Sequence, residues 1–384
     1  MKTNEIHFVM IGGFLGAGKT TSVIRFARWL KDHGMNAGVI TNDQAAGLVD
    51  TTLTRSSGVI TEEIAGGCFC CKSDSLIQAT EALLQKGALD VLIAEPVGSC
   101  TDLIATVALP LRTVYQKAYR IAPLSVVVDP FRAQRVMAAA EKLPSITPEA
   151  GGFSEDVNYI YLKQLEEAEI IVINKCDLLP GEKLAALKQR LGAAFPEALI
   201  LTTSARDGSP ADEWWRLLLE REHQPRALAT IDYQRYAEGE AQLGWLNASL
   251  VVDAKDRQID ADRVLAELAS NLAARLRASG KEVAHLKITF QPRGFATEQI
   301  SVVQWSRSDG EPEPTRRLSV PVSAGEITVN LRAEASPEDL RSALEEAQRE
   351  VLRALLQQTP TVTCFRPAPP RPLHRLGAEG ASRR

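Results

Sequence analysis

Gly13-Phe14-Leu15-Gly16-Ala17-Gly18-Lys19-Thr20 separates an apolar run, Ile6 to Ile11, from an amphipathic one, Thr20 to His33. The spacing G-x-x-x-x-G-K-T turns successive backbone amides toward one point, and it does so only where a strand hands over to a helix. Both flanks meet that demand. Val23, Ile24, Ala27 and Leu30 recur at helical spacing, and Gly34 ends the repeat. A chain that opens this way is constrained to a parallel sheet with crossover helices, because the loop has to sit at the carboxyl end of a buried strand.

The next two hundred residues keep that alternation. Ala37 to Thr41 and Gly58 to Glu63 read as strands, and Ser73 to Lys86 as a helix ended by Gly87. Asp90 to Glu95, Leu124 to Asp129, Glu169 to Asn174 and Ala198 to Thr203 are short apolar runs, as in strands buried on both faces. Leu143 to Gly152 reads as a surface loop, and a helix carrying Trp214 and Trp215 closes the first half. The pattern then changes. Strands are expected at Trp245–Val252, Val283–Phe290, Gln299–Trp305 and Glu326–Leu331, with helices at Ala261–Ser279 and Ser336–Leu356, the last starting on Ser-x-x-Asp. The expected fold class is α/β, a doubly wound, mostly parallel sheet, followed by a smaller α+β domain. Domain limits fall at 1–224, 225–362 and a disordered, proline-rich tail at 363–384.

Forty-four basic and 48 acidic residues give a net charge of −4, no field for nucleic acid or anionic lipid. No apolar run approaches the roughly 20 residues that span a bilayer. Met1 to Glu5 leads straight into a strand and does not read as a signal peptide. Three of the six cysteines are clustered and three scattered, which is no disulfide framework. A reducing, cytoplasmic compartment is expected.

Within the loop, Gly13, Gly16, Ala17 and Gly18 would bring amides to a phosphate chain, Lys19 would bridge its outer phosphates and Thr20 would hold Mg²⁺. Asn174-Lys175-Cys176-Asp177 follows a buried strand. A carboxylate at Asp177 can accept two hydrogen bonds from guanine, and adenine would leave it an unpaired buried charge. Ser204-Ala205, after the following strand, is placed to close over the base. Asp43 and Glu95 end strands of their own, where a carboxylate holds Mg²⁺ or the attacking water, and the Gly98 amide can meet a γ-phosphate.

Cys68-Phe69-Cys70-Cys71 puts three thiols into four residues. Thiolates favour Zn²⁺ and other soft ions, and three of them fill three corners of a tetrahedron. Water, Glu62 or Glu63 are candidates for the fourth. Cys100, Cys176 and Cys364 read as small buried hydrophobes. The five histidines, at 7, 33, 223, 285 and 374, form no cluster.

Taken together, residues 12–21, Gly67-Cys68-Phe69-Cys70-Cys71, Glu95-Pro96-Val97-Gly98 and Asn174-Lys175-Cys176-Asp177 resemble the CobW-type metallochaperone GTPases, relatives of the nickel-insertion GTPases of urease and hydrogenase. The resemblance covers roughly the first 205 residues. It implies slow hydrolysis of GTP to GDP with Mg²⁺ and a nucleotide site that includes Thr21. It also implies zinc or cobalt on Cys68, Cys70 and Cys71, and delivery to an apo-metalloprotein client, with a homodimer left open. One departure is visible: Asn42-Asp43-Gln44-Ala45 stands where the family commonly has Asn-Glu-Phe-Gly. Two other functions fit the same motifs, a GTP-dependent regulatory switch with a metal-sensing site and a small-molecule kinase with structural zinc.

Overall fold

The computed structural model describes residues 5–43, 54–55, 57–115, 119–140, 152–206, 211–224, 230–255, 257–296, 299–318 and 320–376. The strand β1 (Ile6–Gly12) leads through the glycine loop into α1 (Lys19–Asp32). Then follow β2 (Ala37–Asp43), β3 (Ile60–Ala65), α2 (Ser73–Lys86) and β4 (Val91–Glu95). A π-turn at Ile104–Ala108 runs into the short α3 (Leu109–Thr113), followed by β5 (Tyr119–Ile121), β6 (Ser125–Val128) and α4 (Pro130–Ala140). The unit continues with α5 (Glu155–Glu167), β7 (Ile170–Ile173), α6 (Gly181–Ala194), β8 (Leu199–Thr202) and α7 (Asp212–Glu220).

These strands form one parallel sheet in the order β3-β2-β4-β1-β6-β7-β8, with β5 beside the start of β1. The β1 strand is flanked by β4 on one side and β6 on the other, both parallel to it. The glycine loop therefore leaves the sheet where chain order reverses, the place in a doubly wound fold where a crevice opens. Burial explains the strand composition: Ile170 to Ile173 is a β-branched run covered on both faces. One face is covered by α1, whose Val23, Phe26, Ala27 and Leu30 are buried. Phe26 stacks on Trp215 of α7 at 4.8 Å between ring centroids. Burying such a side chain contributes about 1.5–3 kcal/mol.

The second unit starts with α8 (Tyr233–Gln242), continues directly into β9 (Leu243–Asp253), and adds α9 (Ala261–Ala278), β10 (Glu282–Pro292) and β11 (Ser301–Trp305). It ends with β12 (Glu313–Arg316), β13 (Ala324–Glu334), α10 (Pro337–Val351) and β14 (Thr361–Phe365). Its six strands are antiparallel in the order β12-β11-β10-β13-β9-β14, and α9 and α10 bury their leucines and alanines against the sheet. A smaller α+β unit is thus present, and Ser336 and Asp339 cap α10 reciprocally. That helix stops at Val351, five residues before its expected end.

The structure differs from the expected tail. Residues from 363 complete β14, which pairs with β9, and the chain to Leu376 runs back over the first unit. Alternation along Thr361–Phe365 is weak in apolar residues, so the strand is held by its neighbour and not by its own pattern. The Leu143–Gly152 loop lies, apart from Gly152, outside the described residues. Among the described residues no helix is long and apolar enough to cross a membrane.

Candidate functional site

Two sites lie side by side at the carboxyl end of the parallel sheet. The first is a cavity of about 360 Å³, within the range of small-molecule sites. Gly16, Gly18, Lys19, Thr20 and Thr21 form its floor, Glu95 and Gly98 one side, and Asn174, Lys175, Asp177 and Ala205 the other. Three expected residues stand behind the wall. Gly13 packs on the backbone of Val127, the Ala17 amide donates to the Phe14 carbonyl at 3.2 Å, and the Ser204 carbonyl accepts from Arg25 Nη1 at 2.7 Å. The side chain of Asp43 lies outside the described residues.

The loop's shape depends on its glycines. Gly18 has φ 98°, in the left-handed region, and a Cβ there would collide with Asn174 Nδ2. That contact is functional in form, because Asn174 donates to the Ala17 carbonyl at 2.8 Å and accepts from the Ala205 amide at 2.8 Å. Asn174 thus joins the glycine loop to the Ser204-Ala205 turn. Lys175, itself left-handed at φ 54°, reaches the Gly16 carbonyl at 2.8 Å, Asp129 Oδ2 at 2.8 Å and Ser306 Oγ at 3.1 Å. The Thr20 hydroxyl donates to Glu95 Oε1 at 2.8 Å, and Lys19 Nζ lies 3.4 Å from the Phe14 carbonyl. A hydroxyl and a carboxylate in contact are hard oxygen donors of the kind Mg²⁺ accepts. Asp177 was expected to be buried; it is exposed, on a single turn at Cys176–Leu178 that forms the rim of the cavity.

Sequence reasoning missed the far wall. It is built by the second unit, through His285, Lys287, Trp305, Ser306, Arg307 and Arg316. Arg132 of α4 makes the junction. Its guanidinium donates to Leu15 O at 2.6 Å in the glycine loop, and to Val283 O at 3.1 Å and Ser306 O at 2.7 Å in the second unit. Asp129 caps α4 through the amides of Phe131 and Arg132. Burial alone would raise the Asp129 pKa, but the charges of Lys175 and Arg132 outweigh it and hold the carboxyl below its ordinary value.

The second site is the cysteine loop. Cys68 Sγ lies 2.7 Å from Cys70 Sγ and 3.3 Å from Cys71 Sγ, and Cys70 and Cys71 are 3.7 Å apart. Hydrogen bonds from Cys100, Cys70 and Cys71 hold the Cys68 thiol well below its ordinary pKa, whereas Cys71 is pushed up to about 11, chiefly by its bond to Cys68. Three clustered sulfurs are a soft donor set that fits zinc. Glu62 is engaged by Lys86, and neither Glu62 nor Glu63 joins the three sulfurs. Cys100 is buried, as expected, at 3% exposure, and among the described residues it does not join the three sulfurs that lie within ligand distance of one another.

Asn42, the residue before Asp43, holds this loop in place. Its amide nitrogen donates to the carbonyls of Ile64 at 3.0 Å and Gly67 at 2.7 Å, and its oxygen accepts from the Phe69 amide at 3.0 Å. The same residue lines the large cavity. The returning C-terminal segment lies over the sulfurs: the Arg371 amide donates to Cys71 Sγ at 3.2 Å and the Leu373 amide to the Cys70 carbonyl at 3.0 Å.

Comparison with known proteins agrees with this architecture. The family model for the CobW/HypB/UreG nucleotide-binding domain matches residues 7–202. The chain is similar to the zinc chaperone YeiR of Escherichia coli strain K12, 30% identical over 186 residues, covering 47% of this chain and 49% of that protein. It is also similar to zinc-regulated GTPase metalloprotein activator 1 of Dictyostelium discoideum, 27% identical over 216 residues, covering 51% and 45%. The chain therefore spans about half the length of these curated relatives. Among solved structures, the Zn(II)-bound YjiA GTPase from E. coli aligns over 90% of this chain and 99% of that one, with 16% identity and a TM-score of 0.40. HypB from Helicobacter pylori in complex with nickel aligns over 59% and 93%, with 19% identity and a TM-score of 0.41. Over half of its length, and with a buried cysteine cluster beside its phosphate loop, the chain belongs to the CobW/HypB metallochaperone GTPase family.

Proposed function

We propose that this protein hydrolyses GTP and uses the cycle to hold and then release a transition metal, zinc before cobalt, to an apo-metalloprotein client in the cytoplasm. GTP would place its phosphates on the amides of residues 13–20, with Lys19 at the β- and γ-oxygens and Thr21 at the loop's exit. Thr20 and Glu95, with Asp43, would hold Mg²⁺, which neutralises charge on those oxygens. Asp177 would accept the two guanine N–H groups, with Lys175 flat beneath the base and Ser204-Ala205 over it. Glu95 or Asp43 would orient the attacking water. Cys68, Cys70 and Cys71 would carry the metal. The curated relatives named as zinc chaperones support zinc as the cargo.

The observation that carries this reading is Asn42. One side chain touches the nucleotide cavity and clamps both Gly67 and Phe69, the residues on either side of Cys68. A γ-phosphate that reorders the end of β2 must therefore alter thiol geometry. A metal-competition titration with Zn²⁺ and Co²⁺ tests it, run with GDP and with a non-hydrolysable GTP analogue. The expected result is an affinity difference of about 5-fold or more between the nucleotide states, reduced in Asn42→Ala. Equal affinities in wild type would sink the coupling.

Base selection has its own test. Asp177→Asn is expected to lower the preference for GDP over ADP by about tenfold or more, read by competition with a fluorescent nucleotide. Retained rejection of ADP would remove Asp177 from that role.

A further inference from the structure

The chain after β14 is composed to lie extended. Arg366-Pro367-Ala368-Pro369-Pro370-Arg371-Pro372 has proline at four of seven positions, which breaks any helix and stiffens the segment before it touches anything. A segment stiffened in this way loses little conformational freedom on docking, so a few contacts hold it. Those contacts fall on the metal site and its surroundings. The Arg371 amide donates to Cys71 Sγ at 3.2 Å, the Leu373 amide to the Cys70 carbonyl at 3.0 Å and the Leu376 amide to the Ala105 carbonyl at 3.0 Å. Side chains alternate as in a strand: Arg371, Leu373 and Arg375 are exposed, and Pro372, His374 and Leu376 are half-buried. His374 meets the ring of Tyr115 edge-on at 5.7 Å, and Leu376 packs on the hydrophobic core.

We propose that residues 366–376 are a strap that closes the cysteine cluster, latched by Arg375 on Asp102. The guanidinium donates through Nε to Asp102 Oδ2 at 2.7 Å and through Nη2 to Oδ1 at 3.4 Å, and the Tyr233 hydroxyl donates to Oδ2 at 2.6 Å. Asp102 is buried, so the charge that Arg375 brings counts for more than at an open surface. It is also fixed in place. Its backbone is left-handed at φ 63°, and its loop is tied down on both sides. Gln164 Nε2 donates to the carbonyls of Gly98 at 3.0 Å and Cys100 at 2.8 Å, and Glu167 accepts from the Thr101 hydroxyl at 2.9 Å and the Leu103 amide at 2.7 Å. The latch therefore has one rigid half and one detachable half. As a gate on cargo the strap rests on the metal-carrying reading given above; as a cover over thiols it stands on these contacts alone. The Arg371 amide sits on the Cys71 sulfur itself, so whatever approaches that sulfur from the strap side meets main chain first. Lifting the strap gives up amide bonds and one ion pair and breaks no strand pairing in either sheet. An acceptor for the ion reaches Cys71 from that side by lifting it.

The test is alkylation of the full chain by iodoacetamide, followed cysteine by cysteine through peptide masses, without metal and with Zn²⁺. Arg375→Ala removes the detachable half of the latch. Asp102→Asn removes the charge from the fixed half, and asparagine accepts the left-handed backbone. In the metal-free chain each variant is expected to speed alkylation at Cys70 and Cys71 by about fivefold or more. Cys176, half-buried on the rim of the nucleotide cavity, serves as the internal standard and should not change. Arg375→Lys keeps a cation without the fork and should fall between wild type and Arg375→Ala. Unchanged rates at Cys70 and Cys71 in both variants would overturn the strap as a cover. A rise at Cys176 equal to that at Cys71 would do the same, since it would mark general loosening. Faster alkylation in the variants, with no protection of the three thiols by Zn²⁺ in wild type, would uphold the strap and overturn the metal-carrying reading. Should Asp102→Asn fail to fold, judged by circular dichroism, Arg375→Ala decides alone, because its side chain is 37% exposed and belongs to no core.

Discussion

Lys19→Ala is expected to lower GTP turnover by at least about two orders of magnitude. The ammonium is buried at the floor of the cavity, 3.4 Å from the Phe14 carbonyl, where the glycine loop curls around it. Phosphate oxygens entering that loop would draw Nζ from the carbonyl onto the β- and γ-positions, and the charge that develops there during transfer would then face a methyl group. Stability should change little. The core face of α1 is carried by Val23, Phe26, Ala27 and Leu30, which do not depend on Lys19. The check is single-turnover phosphate release beside thermal unfolding. Equal falls in kcat and kcat/KM would place the lysine's effect in the transition state, and a rise in KM alone would place it in nucleotide binding. Unchanged turnover would refute the loop's assignment to phosphate.

Local signals made the parallel sheet legible. Each of its strands except β3 and β5 announces itself by a short apolar run, and each motif falls where a strand ends, because loops at that edge are the only places where backbone groups are free to meet a ligand. Cys68, Cys70 and Cys71 were legible for the same reason, since their proximity is in the sequence itself. What escaped was made by tertiary contact. The segment from Arg366 to Leu376 looks unstructured by composition, yet its amides at Arg371 and Leu373 are spent on the cysteine loop. Exposure at Asp177 was misjudged because a strand-end motif says where the chain turns and not which way the following turn faces. The role of the second unit was invisible altogether: the groups that bind Arg132 are main-chain carbonyls, which every residue has.

That last junction yields the other large effect. Arg132→Met is expected to destabilise the protein by about 2–4 kcal/mol and to weaken GDP binding by about tenfold or more. Arg132 is buried, and its fork is shared between Leu15 in the phosphate loop and the carbonyls of Val283, Ala284 and Ser306 across the junction. Its guanidinium also lies over the rings of Phe14, at 5.4 Å, and Phe153, at 5.0 Å. Hydrogen bonds to a charged donor contribute about 1.5–3 kcal/mol each and do not add in full. Methionine recovers part of the loss, since it fills the volume and ends the cost of burying a cation. It cannot give hydrogen bonds back to the carbonyls, and the Leu15-Gly16 turn loses the clamp that sets its distance from the β10–β11 edge. Asp129 keeps its Lys175 partner, so the defect stays at the junction. Arg132→Lys separates charge from shape: a single ammonium can meet some of these carbonyls but lacks the planar fork, and an intermediate loss is expected. Urea midpoints and GDP affinity measured on the same preparations decide the matter. A fall in stability with unchanged GDP affinity would make the second unit a mere neighbour of the nucleotide site, and a parallel fall in both would make it part of that site's frame.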